Sequence, residues 1–245
     1  GVGRSGFMRA YEGYDIPYTE SRERFQENLE IILAAWTNER FSYEGKHYTF
    51  NDVCVIPKPY QDPHPPLRMA ATTKETFPQV GKLGYPIFVG LRGLDRPDLA
   101  LLLDDYRKAW KDAGHAGEGN VFLRIPIFVG ATQEKAYTDA EESTMRSYRR
   151  MAQAFAASAS NTGATPDEDR AKRGEALAAV TYEDLIRDRL AYGSPEGVIS
   201  QLRLITEELG LSGIVAETNV GGLIPREKVV ESINLFCQEV VPALR

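Results

Sequence analysis

The chain has 245 residues and a formal net charge of −6, with 42% hydrophobic and 26% charged residues. These proportions exclude a disordered chain, and the length fits one large domain or, as the second choice, two small ones. The acidic balance argues against nucleic acid as a partner. No apolar stretch approaches the roughly 20 residues that a membrane helix needs, so no membrane partner is expected either.

Cysteine usage points to the cell compartment. Only Cys54 and Cys237 are present, which are too few for a metal cluster or a disulfide framework. We therefore expect no metal and a reducing, cytoplasmic setting. The start of the chain lacks the basic and apolar regions of a secretory signal, in agreement with that expectation.

In chain order, the first predicted elements are a helix and a hairpin. Apolar residues at helical spacing across 19–36 predict a helix that Thr19 caps at its N-terminus. The aromatic and turn residues of 43–48 are typical of a small hairpin. Prolines between 57 and 66 then impose an extended loop, which leads to a short buried strand at 67–71.

The middle of the chain alternates apolar strands with amphipathic helices. We predict helices at 74–83, 97–113 and 133–157 and strands at 86–90 and 121–129. Asp95 can cap the second of these helices, and Pro78 fits the first one only within its first turn. Pro126 indicates a bend or an irregular ladder in the second strand.

Boundary signals are clearest near the end of the chain. Ser194 followed by Pro195 is typical of a helix start, and Gly210 is typical of the residue just past a helix end. A short strand is predicted at 214–216, and Pro225 opens a last helix.

Strands that alternate with amphipathic helices indicate parallel strands joined by helical crossovers. A doubly wound sheet and a (β/α) barrel both satisfy this pattern, and in either fold the carboxyl ends of the strands form the ligand-binding edge. Segment 158–181 interrupts the alternation, because it has few large apolar residues. A mobile lid and a plain solvated insertion are both consistent with its composition.

The first six residues contain three glycines with the G-x-G-x-x-G spacing of a dinucleotide-binding loop. No strand precedes them in this chain, and Gly13 and Pro17 oppose the long helix that the motif requires. We therefore do not assign dinucleotide binding. What the segment offers is a glycine-rich strand end that carries one guanidinium, Arg4.

A second candidate motif lies at 70–76, where a short strand ends and a helix starts. Thr72 and Thr73 place two hydroxyl groups there. Free backbone N–H groups and the positive end of the helix dipole make such a position a natural anion site, although an ordinary threonine N-cap has the same sequence. No Gly-x-x-x-x-Gly-Lys-Ser/Thr loop is present, so nucleoside triphosphates are not indicated.

Few other side chains suggest a role in catalysis, metal binding or substrate binding. His47, His64 and His115 are interpreted as structural or exposed, and no Ser-His-Asp set or metal-spaced cluster can be assembled around them. Phe7 and Tyr11 follow the glycine-rich start, where they either line a pocket or pack an irregular loop.

Several short motifs occur in a fixed order along the chain. They are Gly1-Val2-Gly3-Arg4, Arg24-Phe25-Gln26-Glu27-Asn28-Leu29-Glu30-Ile31, Gly45-Lys46-His47-Tyr48-Thr49-Phe50, Pro57-Lys58-Pro59-Tyr60-Gln61, Pro63-His64-Pro65-Pro66, the stretch 70–76, Gly84-Tyr85-Pro86 and Gly193-Ser194-Pro195-Glu196. In this order they resemble the bacterial luciferase-like monooxygenase family. The resemblance covers about 1–131 and 190–245 and is thin across 145–190.

The resemblance implies a (β/α)8 TIM barrel that holds reduced flavin mononucleotide (FMN) or, in a sister branch, a deazaflavin coenzyme. Arg4 matches the family's phosphate-contacting arginine at the end of the fourth strand. Thr72 and Thr73 match the polar pair at the end of the fifth strand, and Ala71 stands where the family often has an acidic residue. An arginine and a helix N-terminus suit a dianionic phosphate, so we take these four residues as cofactor-binding candidates.

The resemblance also implies that the first three βα units of the barrel are missing from this chain. If Val2 and Gly3 end the fourth strand, about 100 further residues would complete a barrel of ordinary size. The family's catalytic histidine belongs to that part, so we name no catalytic residue. We expect residues 1–245 to form a single luciferase-like barrel domain with an insertion or lid near 158–181.

The function implied by the resemblance is that of a flavin-dependent monooxygenase, which uses reduced FMN and O2 to oxygenate a small organic substrate. The alternatives are a deazaflavin-dependent dehydrogenase on the same barrel and a non-catalytic or truncated barrel subunit. Phe7 and Tyr11 would line the substrate pocket. The expected partners are the small-molecule substrate, a flavin reductase and a second copy of the chain in a homodimer.

Overall fold

Residues 1–91, 93–160 and 168–244 are described in a computed structural model of the chain. They divide into two units, Gly1–Ala70 and Ala71–Arg245. That the whole of 1–245 is one domain stays a prediction.

The first unit consists mainly of one long helix and a hairpin. Its helical elements are α1 (Arg9–Glu12), a 3-10 helix (Tyr18–Glu20) and α2 (Ser21–Thr37), and its strands are β1 (Phe41–Glu44), β2 (Thr49–Val53) and β3 (Met69–Ala70). β1 and β2 pair antiparallel, which confirms the predicted hairpin. Val2 forms a parallel bridge with Met69, so the glycine-rich start does run beside a strand.

The start of α2 differs from the prediction, because Thr19 does not cap this helix. Thr19 lies inside the 3-10 helix, and α2 begins only at Ser21, without a side-chain hydrogen bond at its N-cap. Pro17 fixes an extended backbone just before the turn, with φ −59° and ψ 128°. The chain therefore enters α2 through a tight 3-10 turn, which is a common start for α-helices.

A carboxylate of α2 fixes the tip of the hairpin. Glu27 accepts hydrogen bonds from the backbone N–H groups of Lys46 at 2.8 Å, His47 at 3.1 Å and Tyr48 at 3.2 Å. A Cβ atom at Gly45 would overlap the same carboxylate. A side chain at this position would displace the carboxylate, and the helix and hairpin are tied together at one buried side chain, which is 9% exposed.

The second unit alternates strands and helices. Its strands are β4 (Ile87–Gly90), β5 (Val121–Val129), β6 (Ala191–Gly193) and β7 (Gly213–Glu217). Its helices are α3 (Thr76–Leu83), α4 (Arg96–Asp112), α5 (Gln133–Ser160), α6 (Glu168–Ala179), α7 (Tyr182–Asp188), α8 (Pro195–Leu209), α9 (Arg226–Leu235), a π-helical turn (Phe236–Val240) and α10 (Val241–Ala243).

The nine-residue strand β5 organises the parallel sheet of this unit. Residues 121–124 pair with β4, and 122–126 pair with β7, both in parallel. From Ile127 to Val129 the strand pairs instead with β6. Pro126 is the last residue paired with β7, so the irregularity predicted there is a change of partner strand.

The sheet and its helices enclose an apolar core. Its fully buried members, less than 2% exposed, include Ile87, Leu99, Leu103, Leu123, Ile125 and Leu185. A further cluster under α5 joins Phe128, Tyr148, Leu177, Tyr192 and Ile224. Burial of these side chains is the main stabilising contribution that the sequence pattern predicts.

Most helix boundaries of the second unit follow the predicted signals. Asp95 accepts the N–H of Asp98 at 2.8 Å at the start of α4, and Ser194 accepts that of Gly197 at 3.3 Å at the start of α8. Gly210 closes α8 in the left-handed region, at φ 58°. Pro78 is the third residue of α3, within the first turn, where the missing N–H does no harm.

The region predicted as an excursion at 158–181 is described only in part. Residues 161–167 lie outside the described residues, so the choice between a lid and a solvated insertion stays a prediction. On either side the chain is helical, and Leu177 of α6 is buried in the cluster under α5. Thr181 and Asp184 then form a reciprocal capping box that starts α7.

Parallel strands with helical crossovers confirm the predicted α/β fold with a parallel sheet. Over the residues that can be described, no helix combines the length and apolar character needed to cross a membrane.

Candidate functional site

Arg4 lies in the loop before α1 and keeps an uncompensated charge. Its Nη1 donates to the hydroxyl of Tyr18 at 3.3 Å and to that of Ser21 at 3.0 Å. The guanidinium carbon lies 5.5 Å from the centre of the Tyr18 ring. No carboxylate among the described residues pairs with Arg4, so its positive charge is held in place by neutral groups and is available to an anion.

Aromatic residues hold the loop around Arg4. The hydroxyl of Tyr11 donates to the carbonyl oxygen of Ser5 at 3.2 Å, and the Tyr11 ring meets that of Tyr18 edge-on at 5.5 Å. Phe7 is 37% exposed. These contacts make Tyr11 a packing residue of the loop, and the assignment of Phe7 and Tyr11 to a substrate pocket stays a prediction.

The second predicted anion site, the threonine corner (71–76), begins just before α3. The N–H of Ala71 donates to the carbonyl oxygen of Phe88 at 3.0 Å, and Ala71 is 2% exposed. The side chain of Thr73 shares a 2.8 Å hydrogen bond with that of Thr76. The backbone of the corner is therefore anchored at Ala71. Thr72 is exposed, and its hydroxyl does not take part in the Thr73–Thr76 hydrogen bond, so it is the one best placed to bind a ligand.

The threonine corner also meets a guanidinium that the sequence did not predict. Arg173 of α6 donates from Nη1 to the carbonyl oxygen of Thr72 at 2.9 Å. No side chain caps the N-terminus of α3 in the described part of the chain. A hydroxyl, a helix N-terminus and a guanidinium are thus gathered at this corner, and each of these groups favours the binding of a phosphate.

The three histidines have structural partners, as interpreted from the sequence. The side chain of His47 is 7% exposed and lies beside two carboxylates, with Nε2 3.2 Å from Oε2 of Glu23. His64 donates from Nδ1 to the carbonyl oxygen of Pro65 at 2.8 Å, and His115 donates from Nε2 to that of Lys82 at 2.9 Å. Among the described residues, no group of three or more potential ligands could hold a metal ion.

The fold is that of an α/β protein with a parallel sheet. Near the ends of strands it carries hydrogen-bond donors that suit a phosphate group. The model of the family described as luciferase-like monooxygenase matches residues 1–213. The chain therefore belongs to this family, which confirms the prediction made from the motifs.

Individual relatives agree with this membership. The chain is 26% identical to the FMNH(2)-dependent dimethylsulfone monooxygenase of Pseudomonas putida, with 98% of this chain and 63% of that protein aligned. The chain thus spans less than two thirds of the length of this relative.

Two solved structures have a similar fold. The monooxygenase RslO1 from Streptomyces bottropensis matches 99% of this chain and 68% of its own, with a TM-score of 0.74 and 21% identity. The coenzyme F420 dependent tetrahydromethanopterin reductase from Methanopyrus kandleri matches 94% of this chain and 65% of its own, with a TM-score of 0.64 and 18% identity.

Proposed function

We propose that this chain acts in a flavin-dependent monooxygenase, which uses reduced FMN and O2 to oxygenate a small organic substrate. The observation that carries the proposal is the alignment of 98% of the chain with an FMNH2-dependent monooxygenase. The parallel strands would belong to a (β/α)8 barrel, with the carboxyl ends of its strands at the flavin.

Arg4 and the threonine corner each contribute to binding the flavin phosphate in this proposal. Arg4 has no carboxylate partner among the described residues and keeps N–H groups available beyond its contacts with Tyr18 and Ser21. Thr72 adds a hydroxyl, and Arg173 adds positive charge beside it. These donors fit a dianionic phosphate, which forms short, charge-assisted hydrogen bonds with guanidinium groups.

The flavin, when bound, supplies the reaction with oxygen. The residues of this chain bind and orient it and keep water from the reacting atoms. Phe7 offers an apolar ring to the substrate, and Tyr11 keeps the loop in shape through Ser5 and Tyr18.

Titration of the protein with reduced FMN under anaerobic conditions tests the proposal. We expect Arg4→Ala to weaken binding by about 10- to 100-fold, since a hydrogen bond to a charged group contributes about 1.5–3 kcal/mol. Thr72→Val should weaken it by about 2- to 10-fold. Arg9→Ala is the matched control, because Arg9 is exposed in α1 of the same unit. Equal affinities for all four proteins would contradict the assignment of Arg4 and Thr72.

A deazaflavin-dependent dehydrogenase is the second candidate, because the fold is also that of an F420-dependent reductase. Comparing both coenzymes with and without oxygen separates the two candidates. Oxygen consumption with FMN supports the monooxygenase, and hydride transfer to or from the deazaflavin without oxygen consumption supports the dehydrogenase. A stable protein that binds neither coenzyme would be a non-catalytic barrel subunit.

The partners follow from the proposed reaction. A monooxygenase that consumes reduced FMN needs a flavin reductase to supply it. We further propose a homodimer and a cytoplasmic location, which size-exclusion chromatography and cell fractionation can check.

A further inference from the structure

A cleft of about 290 Å³ lies along the second half of α5. Its lining consists of Glu142, Arg146, Arg149, Arg150, Gln153 and Leu223. The first five belong to one face of α5, since successive members lie three or four residues apart, about one helical turn, or are adjacent. We call this place the arginine cleft.

The arginine cleft concentrates positive charge that nearby carboxylates do not neutralise. Three guanidinium groups face one carboxylate, which leaves a local charge of about +2 on a chain whose net charge is −6. In the part of the chain that can be described, no ion pair involves Arg146, Arg149 or Arg150. Among the described residues, Arg149 donates from Nε to the carbonyl oxygen of Met145, on its own helix, at 3.2 Å.

Such a face is unfavourable for the isolated helix. Arg146 lies three and four residues before Arg149 and Arg150, and like charges at these spacings repel each other by about 0.2–0.5 kcal/mol per pair. An anion that binds between them removes the repulsion and gains bidentate hydrogen bonds.

The one lining residue outside α5, Leu223, lies in a loop that is hydrogen-bonded to this helix. Leu223 belongs to the loop that follows β7, and this loop is fastened to α5 by the buried hydroxyl of Ser143. Ser143 donates to the carbonyl oxygen of Val220 at 2.5 Å and accepts the N–H of Leu223 at 2.9 Å. The loop starts at the carboxyl end of a parallel strand, where ligands bind in α/β folds.

We propose that the arginine cleft binds a small phosphate monoester, whose dianionic group lies among the guanidinium groups and whose carbon part meets Leu223. The local charge of about +2 matches this dianion, whereas a carboxylate would leave one guanidinium charge unmatched. None of its lining residues is among those proposed to contact the flavin phosphate, and the proposal does not rest on the proposed function.

Calorimetric titration of the protein with phenyl phosphate, without flavin, tests the proposal. We expect Arg146→Gln/Arg150→Gln to bind about tenfold more weakly, since each partly exposed ion pair contributes up to about 1 kcal/mol. Glu142→Gln should bind about 2- to 5-fold more tightly, because it removes the one negative charge of the cleft. Benzoate, a monoanion of similar shape, should bind more weakly than phenyl phosphate.

Lys135→Gln/Arg187→Gln is the matched control, because it removes two exposed positive charges of the same unit outside the cleft. It should leave the affinity unchanged. No binding to the wild-type protein at millimolar phenyl phosphate, or equal losses in the two double variants, would overturn the proposal.

A repeat with reduced FMN separates the two sources of a phosphate group. If the arginine cleft takes a monoester other than the flavin, phenyl phosphate and FMN bind together, and Arg146→Gln/Arg150→Gln keeps its FMN affinity. Competition between the two ligands, with FMN binding lost in this variant, would show that the cleft holds the flavin phosphate and would overturn the proposal. Loss of FMN binding in Arg4→Ala alone concerns the proposed function and not the cleft.

Discussion

At the scale of single residues, Glu27 shows how one carboxylate joins a helix to a hairpin. Burial raises its pKa, but the N–H groups of His47, Lys46 and Tyr48 all favour the ionised form, and together they hold the pKa below its usual value. Stability from a carboxylate with a lowered pKa is present above its unfolded value, near 4.5, and is lost as the pH falls through the folded value.

The change Glu27→Gln should therefore lower the thermal midpoint at pH 7 by a few degrees, because the amide offers these three N–H groups one acceptor oxygen in place of two. The difference from the wild type should shrink below about pH 4.5, where the wild-type carboxyl group also becomes neutral. Circular dichroism melts between pH 3.5 and 7 measure this. Glu30→Gln, on the same helix, is the control and should change the midpoint less, because an amide oxygen can still accept from Tyr43. A gap that stays constant with pH would contradict the assigned role.

Most residue-scale predictions from a local signal succeeded, although the N-cap predicted at Thr19 was wrong. Asp95, Ser194 and Gly210 act within four residues of their own positions, so the sequence alone predicts them. The contact of Arg173 with Thr72 joins residues 101 positions apart. No spacing rule covers such a pair, because it depends on how α6 folds back.

At the scale of elements, the loop after β7 is held on α5 by a close backbone approach. Gly221 has a φ of 86°, and a Cβ atom there would overlap the carbonyl group of Ser143. Gly222 has a φ of 71°, yet a Cβ atom there would meet nothing within 4 Å. The two glycines share the same backbone requirement and differ only in the clash.

Replacing each glycine with alanine separates strain from overlap. Gly222→Ala should reduce the free energy of unfolding by about 1 kcal/mol, the usual cost of a left-handed alanine. Gly221→Ala should reduce it by about 1–3 kcal/mol more, because the loop must move off α5. Urea denaturation gives both values, and similar losses in the two variants would mean that the loop is not clamped by Ser143.

Element types followed from periodicity more reliably than element ends. The last helix, predicted to continue to Val240, contains a π-helical turn at Phe236–Val240. Its apolar spacing does not distinguish the two geometries. β6 has three residues, Ala191–Gly193, which are too few for an alternation to be recognised.

At the scale of the whole molecule, alternating strands and helices left two folds open, a doubly wound sheet and a barrel. The pattern predicts parallel strands, and the structure confirms them. Periodicity carries no information about whether a sheet closes on itself, since closure depends on strand tilt and stagger. Only the ordered motifs, and then the family match over residues 1–213, indicated which α/β family the chain belongs to.

Binding of the proposed flavin should stabilise the molecule as a whole. At a free concentration of about 100 times the dissociation constant, a ligand of the native state adds about 2.7 kcal/mol. For a chain of this length that raises the thermal midpoint by roughly 5–10 °C. Differential scanning fluorimetry with reduced FMN measures the shift, and Arg4→Ala should show a smaller one at the same FMN concentration. An identical shift in both proteins would argue against the role of Arg4.

Strand β5 is the centre of the parallel sheet, since β4, β6 and β7 each pair with part of its nine residues. An altered residue there disturbs one or two neighbouring strands, and the last five positions of the strand have no solvent-facing side on which to place a new group. Amino-acid substitutions should therefore be rarest along this strand among related proteins, and they should be more frequent in the surrounding helices.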